Sequence, residues 1–494
     1  MYAWTEGTKT PNLLGDQESI FSIGSPDFTV RSTIINMEDK ETKGNNCRSQ
    51  TCSADVDRRS FADRFREFAN STTFHGISNV TNSKHNGIRR LFWSLIVIGV
   101  SSWLVTGITQ TVIEFFKYPV TSAISINYVD SMTFPAVTIC NFNQFRRSVI
   151  PDDQVDFINK LYGLDPEAPT DLNISDFEIT GLTRDQYEDL FAAMSHQLET
   201  MLSECVWRSS ETCTVQNFTR RFTDHGICFT FNDPKNGSEI LQVNSAGTRN
   251  GLFLRLYADT EEYMFSENTA AGFRMLLHPQ GVAPLVKELG FSVSPGFESS
   301  ISVRQTLVES LPQPYESNCT NSTLRYSDTY TVPSCRFECK VEYVVDKCGC
   351  RDYRWPGPAP ICNPQEQFKC VYPQEAEFLR QNVECSCPVS CETKTYESRI
   401  SLGYWPAGHV TEFVEAHMNL TEEYVRKNYL DVYIFFEELM YLKIEQKEAY
   451  STSSLQSNIG GYMGLLCGMS LITVLEWADF TLVSIIRRFR SRKE

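Results

Sequence analysis

The sequence predicts a membrane protein in which two transmembrane helices bracket a large, disulfide-rich α+β ectodomain. Three observations carry that expectation. Two long apolar runs stand far apart in a chain of 494 residues. Basic residues flank each run on the side facing its own terminus. Of 17 cysteines, 14 fall between the runs, an even number. The average composition, 41% hydrophobic and 21% charged, would suit a soluble protein, so the distribution decides the class and not the mean.

Residues 1–90 read as a cytoplasmic tail. Lys84, Arg89 and Arg90 precede the run LFWSLIVIGVSSWLVTGITQTVIEFF, residues 91–116, whose single ionisable group is Glu114. At a rise of 1.5 Å per residue the run reaches about 39 Å, against roughly 30 Å of hydrocarbon. It starts too far into the chain and is too long for the core of a signal peptide.

Residues 117–450 are expected to be extracellular, because Lys and Arg beside span ends resist translocation and keep both termini in the cytoplasm. The 14 cysteines then lie in an oxidising compartment and suggest seven disulfides, with connectivity open. Cys335 with Cys339, or Cys348 with Cys350, could also be spaced as zinc ligands, but location and parity favour disulfides. Asn173, Asn217, Asn236, Asn318, Asn321 and Asn419 each begin a glycosylation sequon in the same stretch. The region holds 46 acidic and 28 basic residues, a net charge of −18, which concentrates cations and argues against nucleic acid. TFPAVTICNF and YLDVYIFFEEL alternate like strands, and VDFINKLYGL, EDLFAAMSHQLETML and GHVTEFVEAHM read as helices. There is no H-E-x-x-H, G-x-S-x-G or P-loop to indicate an enzyme, and no cofactor or metal is implied.

Residues 451–486 are expected to hold the second span and a pore, and residues 487–494 the second cytoplasmic tail. Gly460, Gly464 and Gly468 recur every fourth residue with Gly461 beside them, a spacing that lets helix backbones approach closely in lipid. Glu476 and Asp479 share a face, and an intramembrane carboxylate costs about 2.5–3.5 kcal/mol unless it meets water or a partner. Neither run has a basic residue in its interior to pair with them, so water is the expected partner, in a pore or cytoplasmic vestibule; a position at the cytosolic interface is the alternative. The apolar stretch from Ile459 to Ile486 spans about 42 Å as one helix, too long to stand straight, so a tilt or a break is expected. Gly468 and Ser470 mark where backbone could open towards a pore.

HGISN before the first run, TFPAVTICNFN after it, the ordered cysteines, IFFEEL with IEQKEAY, and NIGGYMGLLCGMSLITVLEW together resemble the degenerin, epithelial sodium channel and acid-sensing ion channel family, over roughly His75 to Arg487. The resemblance implies a homotrimeric, amiloride-sensitive, sodium-selective channel of the plasma membrane, crossing the lipid bilayer, each subunit folded as palm, β-ball, finger, thumb and knuckle. It implies a selectivity filter at Gly468, Met469 and Ser470, Met469 standing where many relatives have a small residue. Ser457, Asn458, Gly461, Gly464, Glu476 and Asp479 would line the pore. Ser457 matches the position where bulk holds related channels open, and Asn458 replaces an acidic residue of some relatives. His75 and Gly76 match the family's cytoplasmic His-Gly motif. Tyr118 and Tyr315 match an aromatic pair that couples thumb to pore, although Tyr118 also suits an interfacial belt. Leu439 and Met440 occupy the desensitisation linker, where acid-sensing members have Leu-Asn. Family order implies the pairs Cys140 to Cys228, Cys205 to Cys213, Cys319 to Cys391, Cys335 to Cys387, Cys339 to Cys385, Cys348 to Cys370 and Cys350 to Cys362.

The stimulus follows from departures within the resemblance. Acid-sensing members carry paired histidines after the first span, whereas KYPVTSAIS has none. The chain is most similar to invertebrate FMRFamide-gated channels, so an extracellular amidated peptide is the expected ligand; a proton-gated or constitutively active sodium channel is the alternative. A glycosylated ectoenzyme, an ATP-gated receptor and a non-conducting adhesion subunit are the competing classes. An ATP-gated receptor would need a basic phosphate pocket that this acidic ectodomain does not announce.

Overall fold

The computed structural model describes residues 60–152, 155, 184–233, 239–264 and 269–490. Most of the tail 1–90, most of the expected helix VDFINKLYGL, the sequons at Asn173 and Asn236, and residues 491–494 lie outside the described residues. The chain divides into two units, Met1–Phe68 and Ala69–Glu494.

The helix Gly87–Phe116 begins four residues before the apolar run, with Arg89 and Arg90 inside its first turn. It is long and apolar enough to cross a membrane. Several of its hydroxyls are satisfied along the helix: Ser94, Ser102 and Thr111 donate to the carbonyls four residues back at 2.8 Å each, so these three need no water. Lys117 ends the helix, and Pro119, unable to continue it, leads into the strand Val120–Tyr128.

The larger sheet runs, in spatial order, Glu392–Tyr404, Phe297–Glu309, Tyr429–Glu448, Leu252–Tyr257, Leu202–Trp207 and Glu211–Thr212, with Val120–Tyr128 also paired to Tyr429–Glu448. That central strand has 20 residues and serves two neighbours in turn. Its upper part pairs Leu252–Tyr257, from Tyr429 opposite Tyr257 to Ile434 opposite Leu252; its lower part pairs Val120–Tyr128, from Met440 opposite Tyr128 to Glu448 opposite Val120. In the upper part Leu430, Val432, Ile434 and Phe436 alternate inward and are buried. Period-two patterning puts these four on one face. They meet Leu252, Leu254 and Leu256 and the second sheet, ordered Phe291–Val293, Phe273–His278, Ala136–Asn141, Gly226–Phe231 and Phe218–Thr223. Ala136–Asn141 is buried at all 6 positions, paired on both sides.

The expected helix EDLFAAMSHQLETML is two pieces, Arg184–Met194 and Leu198–Met201, and its last residue starts the strand Leu202–Trp207. Local side chains break it. Ser195 Oγ shares the Phe191 carbonyl, at 2.7 Å, with its own N–H, and the Gln197 amide donates to the carbonyls of Ala192 at 2.8 Å and Ser195 at 2.7 Å, acceptors that a continued helix would use. GHVTEFVEAHM becomes a short 3-10 turn, Gly408–Val410, and the helix Thr411–Met418.

A separate helix, Val332–Cys348, is capped at both ends. Thr331 Oγ1 accepts from Ser334 N–H at 3.2 Å, and Gly349 closes the other end at φ 70°. Cys335 and Cys339 on this helix bond Cys387 and Cys385, with Cα separations of 5.8 and 6.2 Å. The other bonds are Cys140 to Cys228, Cys205 to Cys213, Cys319 to Cys391, Cys348 to Cys370 and Cys350 to Cys362. These are the seven pairs the resemblance implies.

Candidate pore and gating site

The second apolar stretch is two helices, Thr452–Cys467 and Leu471–Arg490, bent by 75° at a short break. The lower helix continues four residues past Ile486, the expected end of the span. The break is written locally. Gly468 adopts φ 64°, the left-handed conformation that glycine reaches without a Cβ penalty, and its N–H donates to the Gly464 carbonyl at 3.0 Å. Met469 N–H donates to the Met463 carbonyl at 3.1 Å. Ser470 then opens the lower helix: its Oγ accepts from Thr473 N–H at 3.3 Å, while Thr473 Oγ1 accepts from Ser470 N–H at 3.1 Å, a reciprocal cap.

His75 and Gly76 lie against this break. His75 N–H donates to the Cys467 carbonyl at 2.9 Å. A Cβ added to Gly468 would stand 2.2 Å from His75 Nδ1, so the histidine ring occupies the space that any other residue at 468 would need. Gly76 is itself left-handed at φ 87°, and a Cβ there would meet Val97 of the first long helix at 3.1 Å. Thr73 hydrogen-bonds Thr473 through their hydroxyls, and the Phe74 and Trp477 rings meet edge-on at 6.4 Å.

The two long apolar segments pack through Gly107, whose missing Cβ position is 3.0 Å from the Tyr462 ring. The other face of the upper helix is unpacked in the single chain. Ser457, Gly461 and Gly464 are exposed there, and Gly460, Gly461 and Gly464 have no atom within 4 Å of an added Cβ; Asn458, also exposed, instead borders a cavity shared with Gln110, Thr111 and Glu114 of the first long helix. Below the break Glu476 and Asp479 are exposed, and among the described residues neither forms an ion pair. Asn458 also reaches back to the Tyr450 hydroxyl.

Above the membrane-proximal end, Tyr118 and Tyr315 meet edge-on with centroids 5.7 Å apart. Tyr118 has φ 49° and follows directly on the first long helix. Leu439 packs on the main core and its carbonyl accepts from Val129 N–H at 3.1 Å; Met440 stands opposite Tyr128. At this point the pairing between Phe297–Glu309 and Tyr429–Glu448 shifts register, from Val303 opposite Phe436 to Gln305 opposite Tyr441. Leu439 and Met440 thus occupy the irregularity in the strand that joins core to membrane. The described sequon residues Asn217, Asn318, Asn321 and Asn419 are all exposed.

Electrostatics divide the ectodomain's titrating groups. Burial holds His196, His225 and His278 at about 4, with Arg146 adding to the effect at His196. Burial pushes the carboxyls of Asp224, Asp259 and Asp431 up, and Glu262 and Glu261 reinforce the effect at Asp259.

Residue reading alone missed Thr73, Thr473 and Tyr462. The Ser-x-x-Thr cap at Ser470 and Thr473 has a local signal, whereas the other contacts join residues remote in sequence and have none.

Residues 68–480 match the family described as amiloride-sensitive sodium channel. The chain is 33% identical over 438 residues to acid-sensing ion channel 1C of Danio rerio, covering 84% of this chain and 82% of the relative. It is 32% identical over 449 residues to acid-sensing ion channel 1 of Gallus gallus, covering 86% and 85%. With acid-sensing ion channel 2 of Rattus norvegicus the identity is 31% over 439 residues, covering 84% and 85%.

Proposed function

The chain belongs to the amiloride-sensitive sodium channel family, and on that premise we propose that it forms a homotrimeric, ligand-gated, amiloride-sensitive sodium channel with both termini in the cytoplasm. Members of this family are ion channels and not enzymes. In this reading Gly87–Phe116 and the broken pair Thr452–Cys467 and Leu471–Arg490 are the two spans of each subunit. The broken pair lines the pore, and Gly468, Met469 and Ser470 form its constriction.

The observation that carries the reading is the left-handed break at Gly468. A filter for a hydrated cation needs oxygen atoms released from helical bonding, and a break between two capped half-helices supplies carbonyl and hydroxyl oxygens at one level. The uncovered glycine face supports close approach of neighbouring subunits. Glu476 and Asp479 below it would form carboxylate rings that favour cations. His75 and Gly76, against the break, take the gating role that the resemblance implies for them, together with Tyr118, Tyr315, Leu439 and Met440.

An extracellular amidated peptide is the proposed stimulus, supported by the ectodomain charge of −18 and by the missing histidine pair after the first span. Proton gating stands beside it, favoured by the relatives named acid-sensing and by the raised carboxyls of Asp224, Asp259 and Asp431. Expression in oocytes tests the channel itself. Inward current carried by external sodium, lost on sodium replacement and blocked by amiloride, is expected; a chain that reaches the surface and carries no current under any acid step or peptide would overturn the proposal.

A further inference from the structure

We infer that Thr73 and Thr473 form a hydroxyl latch that positions the break in the second apolar segment, a role that rests on the pore reading above. Their Oγ1 atoms share a hydrogen bond between residues 400 apart in sequence. Thr473 is 1% exposed, so its hydroxyl has no route to bulk water. A hydroxyl offers one proton and two lone pairs. Thr473 Oγ1 accepts from Ser470 N–H at 3.1 Å and faces Ser470 Oγ at 3.2 Å, and the Thr73 hydroxyl takes its last place. All three capacities are then filled by two residues, one at the break and one on the segment before the first long helix.

Neighbouring contacts make that segment span the break. His75 N–H holds the Cys467 carbonyl at the foot of the upper helix, and Phe74 meets Trp477 on the lower helix. Residues 73–75 therefore touch the chain above the break, at it and below it. Neither half-helix can swing about Gly468 without breaking one of these contacts or carrying the segment along. Thr73 and Thr473 act through Ser470 and not on the ion, so they are positioning residues.

Valine keeps the shape of threonine and removes the hydroxyl. In the amiloride-blocked current, evoked by acid or peptide, Thr73→Val should lower the sodium to potassium permeability ratio by the roughly fivefold that one lost hydrogen bond permits, and Thr473→Val, which also strips the cap from Ser470, by at least as much. The double variant should fall no further than Thr473→Val alone, which is the signature of one shared interaction. Thr73→Ser should keep the ratio. A second arm needs no current: on a Cys467→Ala background, Thr73→Cys with Thr473→Cys should form a bond within one chain on mild oxidation, located by peptide mapping. Free thiols at both positions after oxidation, or a bond only between chains, would overturn the latch. A bond within the chain with unchanged ratios in conducting valine variants would overturn its positioning role. A wild-type chain that does not conduct would count against the pore reading, and the crosslink would still decide the latch.

Discussion

Gly468 has no spare room: beyond its left-handed φ of 64°, an added Cβ would sit 2.2 Å from His75 Nδ1. An L-residue pays about 1–2 kcal/mol for that conformation before the clash is counted, so Gly468→Ala must displace the histidine or unwind the cap. The expected result is a changed sodium to potassium permeability ratio with surface expression near normal, read from reversal potentials in bi-ionic solutions. Ser470→Cys, which alters the cap of the lower helix, should shift the ratio too. Conducting variants with the wild-type ratio would remove the constriction from this segment. Ser457 makes a different prediction, because its side chain is exposed on the unpacked face of the upper helix. If neighbouring subunits close over that face, Ser457→Phe cannot be accommodated when the pore is shut and should give standing inward current without stimulus; a silent Ser457→Phe channel that still opens normally would count against the assignment. At this scale the sequence spoke through local rules. Gly-x-Ser marked where a helix could break, but that a histidine fills the space beside Gly468 has no local signature.

Nested disulfides give the Val332–Cys348 helix an uneven energy ledger. Cys335 to Cys387 closes 52 residues and Cys339 to Cys385 closes 46, one inside the other. Once the outer rung exists, the inner one only closes the short ring between them, worth about 2 kcal/mol in the chain-entropy account, whereas the last remaining rung closes the larger ring between itself and the enclosing Cys319 to Cys391 bond and is worth about 3 kcal/mol. Replacing Cys339 and Cys385 with serine should therefore lower the thermal midpoint of the detergent-extracted protein modestly, and replacing all four cysteines should lower it by more than twice as much. Equal steps for the two removals would refute the nesting argument. Elements differ in how far they could be read beforehand. Cysteine parity pointed to seven bonds, but their connectivity came from resemblance, because spacing alone permits many pairings. YLDVYIFFEEL alternated clearly enough to be a strand, yet its parallel pairing with Phe297–Glu309 and its extension to Glu448 depend on distant partners. EDLFAAMSHQLETML kept a helical period through a point where Ser195 and Gln197 bond local carbonyls and end the helix.

Acid acts on the whole ectodomain in opposing directions. His196, His225 and His278 are held at about 4 by burial, below the ordinary 6.5, so the stability of their neutral forms is present above about pH 6.5 and is lost as pH falls towards 4. Asp224, Asp259 and Asp431 are pushed up, so their contribution is full below the ordinary 3.8 and fades as pH rises through their raised values. Three of the five ectodomain histidines thus stay neutral through mild acid and cannot report it, whereas the raised carboxyls can. A cationic amidated peptide, by contrast, gains from the −18 ectodomain over the roughly 8–10 Å that salt leaves unscreened. The two stimuli separate in one comparison: peak current for FMRFamide-like peptides at neutral pH against current for steps to acid without peptide. The expectation is peptide-evoked sodium current, weaker at high ionic strength, with little response to acid alone. Robust acid currents with no response to any peptide would overturn peptide gating and leave the channel standing. Asp259, raised by burial and by Glu262 and Glu261 beside it, then becomes the first carboxyl to test, and Asp259→Asn should shift the pH of half-activation.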